Sequence, residues 1–229
     1  MQILSLKNNF LALSFVVLTS LTGGVLTACS TTTSENPNPN PNTTVTETGD
    51  QQQMQHGGMN HSMDLGPADA SYDLRFIDGM ILHHQGALDM AKEAQEKSQR
   101  PEMKKLADEI IQAQNKEIAQ MQQWRAAWYP KAGDKVMAHD AQMGHMMEMT
   151  PEQKQAMMMS MDLGAADAEF DLRFINGMIP HHEGAVVMAQ DALQKSQRPE
   201  IKKLAEEIIK AQEIEINQMK QWRQSWYKK

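Results

Sequence analysis

The sequence predicts an all-α protein: an antiparallel four-helix bundle built from two tandem helical hairpins behind a disordered N-terminal linker. Three observations carry this. Residues 63–129 and 161–227 of the 229-residue chain align without a gap at an offset of 98, and roughly two thirds of the 67 paired positions are identical. Each unit holds two apolar stripes at helical spacing, split by Ser-Gln-Arg-Pro. No alternating Val, Ile or Thr run of the kind that marks strands occurs after residue 53.

Residues 1–28 read as an address. Lys7 precedes an apolar run from Phe10 to Leu18 that continues through small residues to Val25, too short for a span of about 20 residues but suited to a signal-peptide core. The run ends in Leu26-Thr27-Ala28-Cys29, which resembles the lipobox of bacterial lipoproteins. That resemblance implies lipidation at Cys29 and a lipid-anchored location in the bacterial cell envelope. The chain would face the periplasm or the cell surface, with Ser30 favouring the outer membrane. Residues 29–62 then hold the lipidated Cys29, a disordered linker of Ser, Thr, Asn, Pro and Gln, and a first Met/His segment. That segment, running on to the first residue of the repeat, contains Met54, His56, Met59, His61 and Met63.

The first hairpin, residues 63–129, begins with a helix from about Ala68 to Lys97. It carries Phe76, Ile77, Met80, His84, Ala87 and Ala91 on adjoining ridges. Pro101, after the breaker, opens a second helix to Trp128 with a stripe that includes Met103, Leu106, Ile110, Met121 and Trp124. Residues 161–229 repeat the pattern as the second hairpin. Pairing the two buries faces that either hairpin alone would leave wet. Trp124, Trp128, Trp222 and Trp226 suit large apolar plugs at the bundle end. The linker 130–160 is rich in Met and His and reads as mobile, with a short helix starting at Thr150-Pro151-Glu152.

Composition narrows the function. A net charge of −7 argues against a nucleic-acid surface. One Cys excludes an internal disulfide framework and a Cys-based zinc or iron–sulfur site. The anomaly is 20 Met, several times ordinary usage. Thioether sulfur is soft, uncharged and not protonated near neutral pH, so it favours Cu(I) and Ag(I) over Mg(II) or Ca(II). Unlike a thiol it also escapes disulfide exchange in an oxidising envelope. Imidazole binds Cu(I), Cu(II) and zinc.

Three donor constellations stand out. Met80, His83, His84 and Met90 lie within two turns of one helix, and Met178, His181, His182 and Met188 repeat them. Pro180, where the first unit has Leu82, is expected to kink its helix and make the two sites differ. The third constellation is the tails: the segment before the repeat, and Met137, His139, Met143, His145, Met146, Met147 and Met149 in the linker. Core packing accounts equally for several helical methionines, Met103 and Met121 above all. Glu117 and Glu215 fall on buried stripes. Each is read as holding a ligand histidine from behind, or as an ion-pair partner of Arg75 or Arg173.

At Phe76-x3-Met80-Ile81-Leu82-His83-His84-Gln85-Gly86-Ala87-Leu88-Asp89-Met90-Ala91, then Ile110-Ile111, Gln114, Glu117-Ile118, Met121 and Trp124, the chain resembles the family called domain of unknown function 305. The second unit matches through Phe174, Met178, His181, His182, Ala185, Met188, Ala189, Ile208, Ile209, Gln212, Glu215, Ile216, Met219 and Trp222. The resemblance implies a ferritin-like helical fold. Its best-understood type of member binds envelope copper, coordinates Cu(I) through Met and His, and supports copper tolerance.

The leading expectation is therefore a membrane-tethered protein, not an enzyme, that sequesters, buffers or hands on Cu(I), with Ag(I) or Cu(II) as further cargo and a transfer protein as a possible partner. The alternatives are a metal-free helical lipoprotein using its Met-rich surface for protein contacts, and a ferritin-like metal oxidase. The oxidase needs Glu-x-x-His, and no His here has Glu three residues before it.

Overall fold

The structure, a computed structural model, describes residues 63–229. The expected leader, the lipidation site Cys29 and the donors Met54, His56, Met59 and His61 lie outside the described residues. In chain order the elements are α1 (Tyr72–Lys97), α2 (Pro101–Trp128), β1 (Met137–Asp140), β2 (His145–Glu148), α3 (Pro151–Met158), α4 (Phe170–Lys195) and α5 (Pro199–Tyr227). The chain is mostly helical, with one antiparallel two-stranded sheet among the described residues.

Helix α1 begins at Tyr72 rather than near Ala68. Asp69 captures the amide of Ser71 with its side chain and that of Tyr72 with its carbonyl, which bends the chain just before the helix. Each hairpin turn is built alike: Ser98 Oγ accepts the amide of Arg100, Ser196 Oγ that of Arg198, and a Pro follows in the first helical turn. Acidic first turns and a lysine in the last turn of α1 and α4 complement the helix dipoles. Pro180 sits inside an α4 that continues on both sides of it.

The hairpins α1–α2 and α4–α5 meet through α1 and α4. His83 lies against Gly184, Gly86 against His181 and Met90 against Gly177, so these helices run antiparallel across the pseudo-twofold. Two apolar clusters result. One joins Phe76, Ile77 and Met80 of α1 to Met188 and Ala192 of α4 and Leu204 of α5. The other joins Ala87 and Met90 of α1 to Leu106 of α2 and Phe174 and Met178 of α4. Between them, along both central helices, lies a layer made of the two histidine doublets.

The ends are clamped reciprocally. Arg100 in the first turn lies 4.3 Å over the Trp226 ring and pairs with Asp171 at 3.3 Å. Arg198 in the second turn lies 4.1 Å over Trp128 and pairs with Asp73 at 3.4 Å. The tryptophans expected as plugs stack in pairs, Trp124 on Trp128 and Trp222 on Trp226, and remain partly exposed as platforms for those guanidinium groups.

The linker departs from expectation. Beside the short helix expected from Thr150, it carries a β-hairpin where a loose chain was expected. Asp140 accepts the amides of Gln142 and Met143 with its side chain and that of Gly144 with its carbonyl, and Gly144 takes φ +68° to close the turn. The register pairs Met137 with Glu148, Ala138 with Met147, His139 with Met146 and Asp140 with His145. These strands have weak intrinsic propensity, and tertiary anchors decide. Buried Asp78 accepts the amide of Met137 at 2.8 Å and pairs with Arg125. Fully buried Arg75 donates to Leu65 O, Pro67 O, Asp69 and, at 3.0 Å, Met146 Sδ. Helix α3 starts with a capping box: Thr150 Oγ1 accepts the Gln153 amide while Gln153 Oε1 accepts that of Thr150.

Candidate metal centre

His83, His84, His181 and His182 are all buried at the α1–α4 crossing. The His83 and His181 rings approach to 3.9 Å between centroids, tilted by 48°. Among the described residues no carboxylate pairs with either ring. Loss of hydration, aided by mutual repulsion with the neighbouring imidazoles, holds His83 well below the usual histidine range. The same desolvation brings His181 down to about 3. Both rings are therefore neutral at physiological pH and offer lone pairs rather than charge.

The other two histidines are oriented from behind. His84 Nε2 lies 2.7 Å from Glu117 Oε2, and His182 Nε2 lies 2.6 Å from Glu215 Oε2. A carboxylate accepts, so each imidazole carries its proton on Nε2. The lone pair is left on Nδ1, which is buried and has no hydrogen-bond partner among the described residues. The alternative pairing of Glu117 with Arg75 or of Glu215 with Arg173 is not formed. Arg75 and Arg173 are spent on the backbone turns at 65–69 and 163–167.

Buried imidazole nitrogens without partners are costly, of order 1–3 kcal/mol each. Nδ1 of all four histidines is in that condition, and Nε2 of His83 as well. Among the described residues no three His, Cys, Asp or Glu side chains gather as a metal-holding group. The further donors here are sulfurs. A methyl group placed on Gly184 would meet His83 Nε2 at 3.2 Å, Met159 Sδ at 3.5 Å and Met63 Sδ at 3.6 Å, so these three atoms converge on one point. A methyl on Gly177 would meet Met161 Sδ at 2.5 Å and Met90 Sδ at 3.6 Å. The donor chemistry, neutral imidazole and thioether, suits Cu(I) or Ag(I).

The candidates separate into groups. Met80 and Met188 are fully buried in one apolar cluster, Met90 and Met178 in the other, on either side of the histidine layer. Met63 reaches the layer itself. The β-hairpin donors do not converge on it: Met143 and His145 are exposed, Met146 Sδ is held by Arg75, and the His139 ring packs on Gly66. Met137 and Met147 are partly buried, and Met149 is buried in the first apolar cluster. Met137, His139 and Met149 also line a small cavity of about 120 Å³ that Arg75 shares, a poor neighbour for a cation.

The end of α3 and the residues just after it were not foreseen as part of the site. Met157 lies on Gly79, the Met158 carbonyl on Gly86, Met159 on Gly184 and Met161 on Gly177. The trace it left in the sequence is the glycine pair seven residues apart, two helical turns, in each central helix: Gly79/Gly86 and Gly177/Gly184.

Comparison with known proteins agrees with this architecture. The model of the family named domain of unknown function (DUF305) matches residues 73–223. The chain belongs to the DUF305 family. Similar solved structures include CopM in the Cu(II)-bound form (43% identity, TM-score 0.54) and in the Cu(I)-bound form (40%, TM-score 0.54), each covering 68% of this chain and 97% of CopM. A DUF305 fragment from Deinococcus radiodurans is 31% identical with a TM-score of 0.52, over 68% of this chain and 96% of the fragment. CopM has also been solved in silver-bound form. Among curated proteins, the uncharacterized protein L153 of Acanthamoeba polyphaga mimivirus is 45% identical over 49 residues, 21% of this chain; the match spans about a third of that relative's length, 32%.

Proposed function

We propose that this chain binds Cu(I), and Ag(I) by the same chemistry, at the histidine layer between α1 and α4, and that it sequesters, buffers or hands on the metal in the bacterial envelope. The observation that carries the reading is the pair His83 and His181: buried, neutral and in contact, with partnerless nitrogens and methionine sulfurs at hand. A protein without a ligand to place there gains nothing from keeping such nitrogens dry. The likeness to CopM, solved with Cu(I), Cu(II) and silver, supports the choice of metal.

No step requires a bond to be made or broken other than metal–ligand bonds, so the protein acts by ligand exchange and is not an enzyme. Glu117 and Glu215 hold His84 and His182 in the tautomer that presents Nδ1. The four long helices close as a bundle around the layer. The exposed β-hairpin donors Met143 and His145 serve as loose outer sites. Lipidation at Cys29 tethers the chain through its N-terminal linker, and a transfer protein draws metal from the outer sites.

The test is anaerobic Cu(I) titration against a competing chelator. The chain is expected to hold Cu(I) in its core, and the variant with His83, His84, His181 and His182 all changed to Ala is expected to lose that uptake. Equal uptake by the two proteins would refute the assignment.

A further inference from the structure

Resting on that reading, we propose that the duplicated core is functionally asymmetric: Met159 and Met63 complete a single sulfur–sulfur–nitrogen pocket at His83 for one monovalent soft ion, while the Met158 carbonyl closes the matching position at His181.

The two positions are equivalent in their helices and unequal in what covers them. His83 Nε2 lies 3.2 Å from a methyl built on Gly184, and His181 Nε2 lies 3.2 Å from one built on Gly86. Over Gly184 come the sulfurs of Met159 and Met63, and His83 Nε2 has no hydrogen-bond partner among the described residues. Over Gly86 comes the Met158 carbonyl, 3.1 Å from His181 Nε2. A carbonyl only accepts, so His181 must carry its proton on Nε2, and that nitrogen is withdrawn from metal binding.

The asymmetry follows from the chain. One linker crosses a twofold and cannot obey it. At its crossing Met159 adopts the left-handed conformation (φ 47°, ψ 22°), which a non-glycine residue adopts only when its surroundings hold it there. That turn sends the Met158 carbonyl to one helix and the Met159 side chain to the other. The repeat-related pair Met63 and Met161 divides the same way: Met63 Sδ reaches Gly184, whereas Met161 Sδ rests on Gly177, two turns away along α4.

The glycines are what admit the segment. A Cβ at Gly86 would overlap the Met158 carbonyl, and one at Gly184 would occupy the space where the three donors converge. The donor set is uncharged, so it does not offset a second positive charge in a dry core. It favours Cu(I) or Ag(I) over Cu(II) or Zn(II).

The experiment loads the full chain anaerobically with one equivalent of Ag(I) or Cu(I) and measures affinity by chelator competition in wild type, Met159→Leu, Met63→Leu, their double variant and Met161→Leu. Leucine keeps the volume, and thermal unfolding by circular dichroism confirms the fold. The double variant is expected to bind its first ion at least about 100-fold more weakly, beyond the upper end of what losing an outer hydrogen-bond partner costs. Met161→Leu, whose sulfur rests on Gly177 two turns away, is expected to weaken that binding far less than Met63→Leu. X-ray absorption of the Cu(I)-loaded wild type is expected to show sulfur scatterers, reduced in the double variant. Wild-type affinity in the double variant, or equal losses from Met63→Leu and Met161→Leu, overturns the asymmetric pocket while leaving the histidine layer standing. A wild type that takes up no monovalent ion overturns both.

Discussion

His83 and His181, 98 residues apart in sequence, bring their rings to 3.9 Å at the centre of the α1–α4 crossing, each seated on a glycine of the opposite helix. The contact joins two neutral bases in a layer where the chain had apolar clusters on both sides to continue. It makes the metal-free protein sensitive to acid.

The unfolded chain takes up a proton on each of these histidines below about pH 6.5, whereas in the native state burial delays uptake by His181 to about pH 3. The unfolded state thus binds more protons across that window, and native stability is fully present above pH 6.5 and declines as the pH falls. The slope is about 1.4 kcal/mol per pH unit for each histidine. Urea midpoints of metal-free protein at pH 7.5, 6 and 5 should fall in that order; a flat series, matched by the His83→Ala/His181→Ala variant, would show that the rings are not held neutral.

Glu117 and Glu215 act through His84 and His182. Glu117→Gln and Glu215→Gln keep the side-chain shape but exchange a charged acceptor for an amide. Cu(I) affinity should fall about 10–100-fold in the double variant. Thermal stability should change far less than in the histidine variants. The same loss from Glu→Asp, which keeps the charge but shortens the reach, would support the geometric role; affinity unchanged in both would remove it.

Gly86→Ala places a Cβ against the Met158 carbonyl, so α1 and the C-terminal end of α3 must separate. The expected cost is about 1–3 kcal/mol from overpacking. Hydrogen exchange should quicken through residues 151–161 and leave α5 as protected as before. An unaffected segment would mean that it does not press on the helix.

Arg198→Ala removes a guanidinium from the Trp128 face and an ion pair from Asp73 at once. Cation–π contacts at partly exposed sites contribute about 0.5–2 kcal/mol, and the ion pair, whose arginine is open to solvent while Asp73 is largely buried, adds to this. A loss of at least that order, with a change in tryptophan fluorescence, is expected; the repeat-related Arg100→Ala should behave alike. No change in either variant would show that the clamps do not hold the hairpins together.

Much of this was legible in the sequence because it is local. The helical stripes, the Ser-Gln-Arg-Pro breakers and the Thr150 cap each act over a few residues, and the 98-residue offset exposed the pairing of hairpins. The histidine doublets were legible because a doublet recurring at that offset is hard to explain as packing.

What escaped was set by distant contacts. The β-hairpin at 137–148 is written in Met, His and Ala, not in β-branched residues, and is fixed by Asp78 and Arg75 from α1. Met159 looked like one more linker methionine, since its partner His83 is 76 positions earlier. The glutamate assignment stayed divided because spacing on α2 and α5 says which face a carboxylate occupies, not whether the facing helix offers an arginine or a histidine there.

The most direct measurement is anomalous diffraction from crystals of the chain grown with one equivalent of Ag(I). The strongest silver peak is expected in the histidine layer, bonded to His83 and at least one methionine sulfur. Silver confined to the β-hairpin or the surface, with the four buried histidines bare of metal, would contradict the account.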